Sequence, residues 1–471
     1  MPAPPDQPPR RALPRLRDLR TLLEERRFVL VSAASLLGTT LVTAGLGFVY
    51  WAVAARAFSA DSVGYGSAAI SLMTLLGTIG MLGLGTLLIG ELGRRRAEAG
   101  GLITASLLVS GGVSVAMGLI AALLAPAFMK DLTPFGGDPL HVTLFAVGVA
   151  VTGASLVLDQ ALVGLHRGGL QLWRNCAFSV TKLAALLLAA KYLDDAFGVG
   201  IYLAWTVGNV VSLGALALVL HRRGIRMMFR PRWDLLRELR GTVMGHNWLN
   251  IAYQLPRLAL PVVVTFLISP SAGAAFYAAW MLVGFAYIVP THLSTALYAI
   301  SAGDHSALAQ ELRFTIRVSV IAGVVTAAVF GLGGHWLLVP FGQSYADAAG
   351  AALAILGLGI FPTLVKVHYI AVRRVQGLIP RAAVVVTIGA ALELGAGAAG
   401  ALLGGITGVA VAVVVAMTVE ALVMAPAVAL AMRAPRAPAA RAQTRVPAQS
   451  TAVEPTAVES TAVEDQSTAL T

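Results

Sequence analysis

The chain has 471 residues, of which 57% are hydrophobic and 12% charged, and a mean hydropathy of +0.79. That balance excludes a soluble globular domain. A formal net charge of +11 would point to nucleic acid in a soluble protein, but here nearly all of it falls between apolar runs, where membrane topology and anionic lipid account for it. The single cysteine, Cys176, excludes an intrachain disulfide and a cysteine-based metal site.

Residues 1–27 form a Pro- and Arg-rich arm. Apolar segments near the ~20 residues that cross a ~30 Å hydrocarbon core follow at 28–52, 63–91, 102–126, 142–165, 174–191 and 197–220. A basic linker occupies 221–241, and a second set runs at 242–268, 272–300, 314–340, 348–372, 381–403 and 405–432. The tail, 433–471, repeats Thr-Ala-Val-Glu from 451, 456 and 461, a low-complexity composition that cannot bury a core and reads as disordered. Of the 34 Lys and Arg, 28 fall in alternate connections or the two termini, against Arg56, Lys130 and Lys191 on the other side. The positive-inside rule then puts both termini in the cytoplasm of a multi-pass inner (plasma) membrane protein.

The two halves read as copies. Asp159, His166-Arg167 and Arg174 recur as Lys366, Arg373-Arg374 and Arg381 at an offset of 207. Ser59-Ala60-Asp61 before the second span is echoed by Ser269-Pro270-Ser271 before the eighth. Repeat halves in one orientation place a substrate site at their interface.

The sharpest motif is on the seventh span. Asn247, Asn250, Gln254 and Arg257 fall on one helix face. Pro256 and Pro261 interrupt the backbone ladder there and free carbonyls to line a wet cavity. An arginine near mid-bilayer costs ~2.5–3.5 kcal/mol and faces the protein interior. Its planar fork suits phosphate or pyrophosphate; the alternative is a structural arginine satisfied by Asn, Gln and carbonyls. Tyr277, Trp280, Tyr287, Thr291, Ser294 and Tyr298 make a stripe on the eighth span, suited to sugar faces or to bundle packing. Ser32, Ser35, Thr39 and Thr43 on the first span, and Ser67, Ser71, Thr74 and Thr78 on the second, are milder stripes that line a pathway or pack helices.

Asp159 and Lys366, matched in the repeat and opposite in charge, are candidates for a gate, or each pairs within its own half. Lys182, two turns into the fifth span, reaches either the cavity or the inner surface. Glu393 and Glu420 are the candidates for proton or sodium coupling. In the linker, Trp233, Leu235, Leu236 and Leu239 form an apolar strip beside seven Arg, suited to anionic lipid headgroups or to a hinge between halves. Eight scattered His give no metal-ligand spacing, and neither a catalytic nor a cofactor motif is present.

The stretches 47–89 ("GFVYWAVAARAFSADSVGYG…"), 165–175 ("LHRGGLQLWRN") and 245–299 ("GHNWLNIAYQLPRLALP…") resemble the polysaccharide-biosynthesis, O-antigen-flippase-type transporters of the multidrug/oligosaccharidyl-lipid/polysaccharide superfamily. The resemblance implies an all-α bundle of about twelve transmembrane helices, in two pseudo-symmetric six-helix lobes (28–220 and 242–432) forming a V around a central cavity. It also implies a flippase, not an enzyme, that moves a polyprenyl-pyrophosphate-linked oligosaccharide between leaflets by alternating access. Arg257, with Lys182, would then meet the pyrophosphate, and Asn247, Asn250, Gln254, Trp280 and Tyr287 the head sugars. Three other readings stand beside it: a cation-coupled multidrug exporter of the same fold, a membrane-embedded glycan polymerase or ligase, and a scaffold whose tail recruits glycan-assembly proteins.

Overall fold

The computed structural model describes residues 42–433, apart from 93–94, 96–97, 129–137, 166, 194–197, 223–228 and 304–307. The basic arm 1–27 and the tail from 434 therefore lie outside the described residues. In the first half the helices are α1 (Val42–Ala57), α2 (Ala60–Gly80), α3 (Leu84–Glu91), α4 (Ala99–Phe128), α5 (Pro139–Gly164), α6 (Gly168–Tyr192) and α7 (Val199–Arg222). The second half holds α8 (Trp233–Leu267), α9 (Pro270–Ala286), α10 (Ile288–Gly303), α11 (Leu308–Leu338), α12 (Gln343–Leu358), α13 (Ile360–Val375) and α14 (Ile379–Arg433). A 3-10 turn, Val339–Phe341, joins α11 to α12.

These helices map onto the twelve expected spans of a multi-pass membrane protein, with informative breaks. Eight described helices are long and apolar enough to cross a bilayer alone, or nine with α12 and α13 as one span bent by 43°. The remaining three have physical reasons. The described part of α1 starts at 42; α6 carries Arg174, Lys182 and Lys191; and α14 is two spans in one, folded back at Gly404 and Gly405. Gly405 has φ +57°, a conformation that glycine adopts without the Cβ penalty. The second span breaks between α2 and α3, where Leu82 and Gly83 both take positive φ.

The repeat is visible in the capping. Ser59 Oγ accepts from Ser62 N–H at the start of α2, and Ser269 Oγ accepts from Ala272 N–H at the start of α9, where Pro270 supplies the first helical residue. These two equivalent helix starts meet: a Cβ on Gly64 would collide with the Pro270 carbonyl.

At that end, away from the basic connections, the halves share one core. Tyr50, Trp51 and Tyr202 belong to the same buried cluster as Leu260, Phe276 and Phe341. Arg56 reaches across and donates from Nε to Pro340 O at 3.0 Å and from Nη2 to Val339 O at 2.8 Å. At the basic end there are two separate cores instead, one around Leu249, Leu312 and Tyr369, the other around Leu87, Leu88 and Val157. The halves thus share one core at one end and keep separate cores at the basic end.

The boundary expected between linker and second lobe, at 241/242, falls inside the continuous helix α8. The apolar strip of the linker is its first turns. Leu235 is buried in the first lobe's cluster with Leu87, Leu88 and Leu92, while Trp233 stays exposed. Phe229 N–H donates to Thr104 Oγ1, and Arg232 N–H to Gly101 O.

Candidate functional site between the lobes

Three connected cavities lie between the halves. The central one, about 430 Å³, is lined by Arg257, Trp280, Tyr287, His292, Lys366 and Glu393. A second, about 340 Å³, lies toward the basic end and holds Asn247, Asn250, Gln254, Gln160 and Arg374; it shares Tyr253 and Thr291 with the first. The third, about 320 Å³, reaches into the first lobe at Lys182, Asn175 and Ser179, and shares Thr43, Ala44 and Phe285 with the first. The four-residue stripe of α8 thus borders one connected space, Arg257 centrally and the amides nearer the basic end.

The proline frees one carbonyl, but a neighbouring helix takes it rather than a wet cavity. Pro261 has no N–H to give the carbonyl four residues earlier, and that carbonyl, Arg257 O, accepts from Trp280 Nε1 at 2.9 Å. The Arg257 side chain is left free. Its guanidinium rests 3.2 Å from where a Cβ on Gly284 would stand, and among the described residues it makes neither an ion pair nor a hydrogen bond.

Several residues read as sugar contacts have polar tips committed elsewhere. The Trp280 indole N–H goes to Arg257 O, and Tyr287 Oη donates to Leu356 O at 3.1 Å. Both present rings to the cavity. Asn250 bridges the lobes, accepting from Arg374 Nη2 at 2.7 Å and standing 3.5 Å from Thr86 Oγ1 of α3. On α2, Ser67, Thr74 and Thr78 donate back to carbonyls of their own helix; Ser67 and Ser71 are buried in the packing, and of the stripe Thr78 alone borders a cavity. Ser32, Ser35 and Thr39 lie outside the described residues.

Buried charges sort themselves within each half. Asp159 and Lys366 do not meet in this conformation. Asp159 Oδ2 accepts from Arg174 Nη2 at 2.8 Å, which also donates to Asn175. Lys366 Nζ donates to Glu393 Oε1 at 2.8 Å and to Glu420 Oε2 at 2.9 Å, and all three side chains are buried. Residues read separately as gate and as coupling acids are therefore one cluster.

Lys182 faces the cavity rather than the inner surface. It has no carboxylate within ion-pair distance among the described residues; its ammonium lies 4.1 Å from the Trp205 ring centroid, 4.6 Å from Phe178 and 4.8 Å from Tyr50. Such contacts contribute about 0.5–2 kcal/mol each, more when desolvated. Sequence reasoning passed over His292, Tyr253 and Arg374, which border the cavities from α10, α8 and α13. At the base of α8, outside the spans, the Arg232 guanidinium holds the Asp234 carboxyl down to about 2 through their hydrogen bond.

Comparison with known proteins fits this geometry. Residues 29–240 match the family model described as polysaccharide biosynthesis protein. A curated relative, the EPS I polysaccharide export inner membrane protein EpsE of Ralstonia nicotianae, is 31% identical over 117 residues; the match spans 24% of this chain and 25% of that protein. Among solved structures, an inward-facing multidrug resistance MATE family transporter of the MOP superfamily aligns with TM-score 0.61 at 16% identity, over 83% of this chain and 94% of the other. A MOP superfamily transporter from Pyrococcus furiosus, reported to have a binding pocket of reversed polarity, aligns with TM-score 0.57 at 14% identity, over 85% and 94%. A point mutant of the Vibrio cholerae MATE transporter VcmN gives TM-score 0.56 at 17% identity, over 85% and 94%. The resemblance read from the sequence is met to this extent: residues 29–240 match the polysaccharide biosynthesis protein model, and the chain is a multi-pass membrane protein with the fold of these solved transporters.

Proposed function

We propose that the chain flips a polyprenyl-pyrophosphate-linked oligosaccharide from the cytoplasmic to the outer leaflet of the cell membrane, and that rocking of the two lobes exposes the central cavity alternately. The observation that carries this reading is Arg257, a guanidinium without a carboxylate partner among the described residues, in a cavity between lobes. Arg257 is exposed to the cavity, and an unpaired guanidinium with its fork open matches the bidentate needs of a phosphate group. Lys182, in the adjoining compartment, adds a second basic side chain without a carboxylate partner among the described residues. The rings of Trp280 and Tyr287 give sugar faces a surface to stack on, and the Asn247, Asn250 and Gln254 amides border the route from the basic end.

By the positive-inside rule the basic connections are cytoplasmic, so the end at which the halves keep separate cores faces the side on which the lipid-linked substrate is made. The first turns of α8, with Trp233 exposed beside Arg232, rest against anionic headgroups. The tail from 433 is a docking segment for glycan-assembly proteins.

Native mass spectrometry of protein extracted mildly from its own membrane tests the substrate class. A co-purifying polyprenyl-linked saccharide, absent from Arg257→Ala, is the expected result. Arg257→Ala abolishes flipping while leaving folding near wild type, since the exposed guanidinium makes no hydrogen bond or ion pair among the described residues; wild-type flipping in that variant sinks the reading. The exporter alternative draws on the MATE neighbours and the aromatic lining, but an organic cation would meet two basic side chains without carboxylate partners among the described residues. Transport of cationic dyes by the purified protein would favour it.

A further inference from the structure

The Lys366–Glu393–Glu420 cluster holds one cation and two carboxylates in a buried place. Lys366 Nζ satisfies one oxygen of each acid. Glu420 Oε1 is left buried with no hydrogen-bond donor. Space for that carboxylate is made by Gly389 on the facing arm of α14, where a Cβ would collide with it. Fully ionised, the cluster carries one excess negative charge. Arg257, exposed in the cavity that Lys366 and Glu393 also line, has no acid of its own among the described residues and is a positive charge available to offset it. With the cavity empty, these four side chains sum to zero charge.

We propose that Lys366, Glu393 and Glu420 form a proton-binding site that loads when an anionic substrate group engages Arg257. This rests on reading Arg257 as the anion receptor. A phosphate on the guanidinium withdraws the compensating charge from the cluster, and the cluster recovers neutrality by binding one monovalent cation. A proton is the cation that fits, because the unsatisfied Glu420 oxygen is buried and lies so close to Gly389 that a methyl there would collide with it. The step is a plain protonation: the Glu420 carboxylate and a solvent proton become a carboxylic acid, and Lys366 keeps its bond to Glu393. Substrate and proton then favour each other's binding, by the reciprocity that any linked pair of sites obeys.

Other titratable groups face the cluster and define the controls. From α8 come Tyr253, whose ring centroid is 5.9 Å from Lys366 Nζ, and Arg257. Tyr287, between α9 and α10, and His292 of α10 border the same cavity. On α13 itself His368 is buried with Nδ1 against Leu364 O at 2.7 Å. His292 is the one that could take the proton instead.

The test is calorimetric titration of the full-length protein in detergent with farnesyl pyrophosphate, in two buffers of different ionisation enthalpy. The working pH is about 8, roughly two units above the phosphate pKa of ~6, so the ligand starts ionised. Wild type is expected to take up about one proton per ligand bound. Glu420→Gln keeps the shape and should retain binding within a few-fold while losing the uptake; His292→Asn should keep both. Binding to wild type with no proton uptake overturns the inference and leaves the Arg257 reading intact. Unchanged uptake in Glu420→Gln, or its loss in His292→Asn alone, overturns the assignment to this cluster. No binding to wild type overturns the Arg257 reading and this inference with it.

Discussion

The two halves of this protein each bury a lysine, and they keep it by opposite means. Lys182 of the first half stands in a box of three aromatic rings with no counter-charge, and Lys366 of the second is clamped between two glutamates. One scaffold, duplicated, has therefore solved the same desolvation problem twice. A ring box holds a lysine without supplying a counter-charge, whereas the acid pair supplies two. The teaching is electrostatic: the asymmetry between lobes, rather than their likeness, sets what the cavity can bind.

Breaking the ion cluster should produce the largest effect. Lys366→Met leaves two buried carboxylates facing each other, and removing one partner of a buried charge network costs about 3–5 kcal/mol. Thermal unfolding in detergent should show a large loss of stability. The triple variant Lys366→Met, Glu393→Gln, Glu420→Gln should recover most of it, because deleting a whole buried network is often near neutral. If Lys366→Met and Lys182→Met destabilise equally, the two lysines are held by burial alone and the contrast fails.

Next comes the space that the cluster occupies. Gly389→Ala drives a methyl into the Glu420 carboxylate and should cost about 1–3 kcal/mol, the range for overpacking a core. Gly395→Ala, on the same arm of α14 with nothing near its Cβ, should be neutral or stabilise by about 0.5–1 kcal/mol through helix propensity. A paired unfolding measurement of the two variants separates a glycine needed for a neighbour from one that is not. Equal behaviour would mean that Glu420 moves aside freely and the packed oxygen is no constraint.

How much of this was legible beforehand follows the range of each interaction. Helix starts were legible because capping is local: Ser59 and Ser269 sit one residue before the helices they cap. The α8 stripe was legible because residues three and four apart share a face whatever surrounds them, and all four border the cavities. The ion cluster was not, since Lys366 meets partners 27 and 54 residues away on two other spans. The same holds for the polar tips of Trp280 and Tyr287, which a stripe on one helix assigns to the cavity and which tertiary contacts assign to backbone carbonyls. Nor did composition show that the basic linker continues as α8 and lodges Leu235 in the first lobe's core, because that docking depends on where α3 and α4 end.

The smallest expected effect is the one that most sharpens the contrast. Lys182→Met removes a buried charge together with its ring contacts, so the lost desolvation penalty and the lost attraction largely offset each other, and net stability should change by no more than about 1 kcal/mol. The attraction becomes visible in a double-mutant cycle with Trp205→Leu, the ring at 4.1 Å. Coupling of about 0.5–2 kcal/mol is expected, well below the value for Lys366 with Glu393 or Glu420. The cycle is clean because leucine keeps an apolar side chain at 205 and methionine keeps most of the lysine stem. Coupling near zero would mean that the rings merely surround Lys182, and its charge would then be free to leave the box for an entering anion at no cost. Coupling in the stated range means that an anion must compete with the box, and so the first lobe would release its lysine only to a ligand carrying more charge than an ordinary phospholipid headgroup.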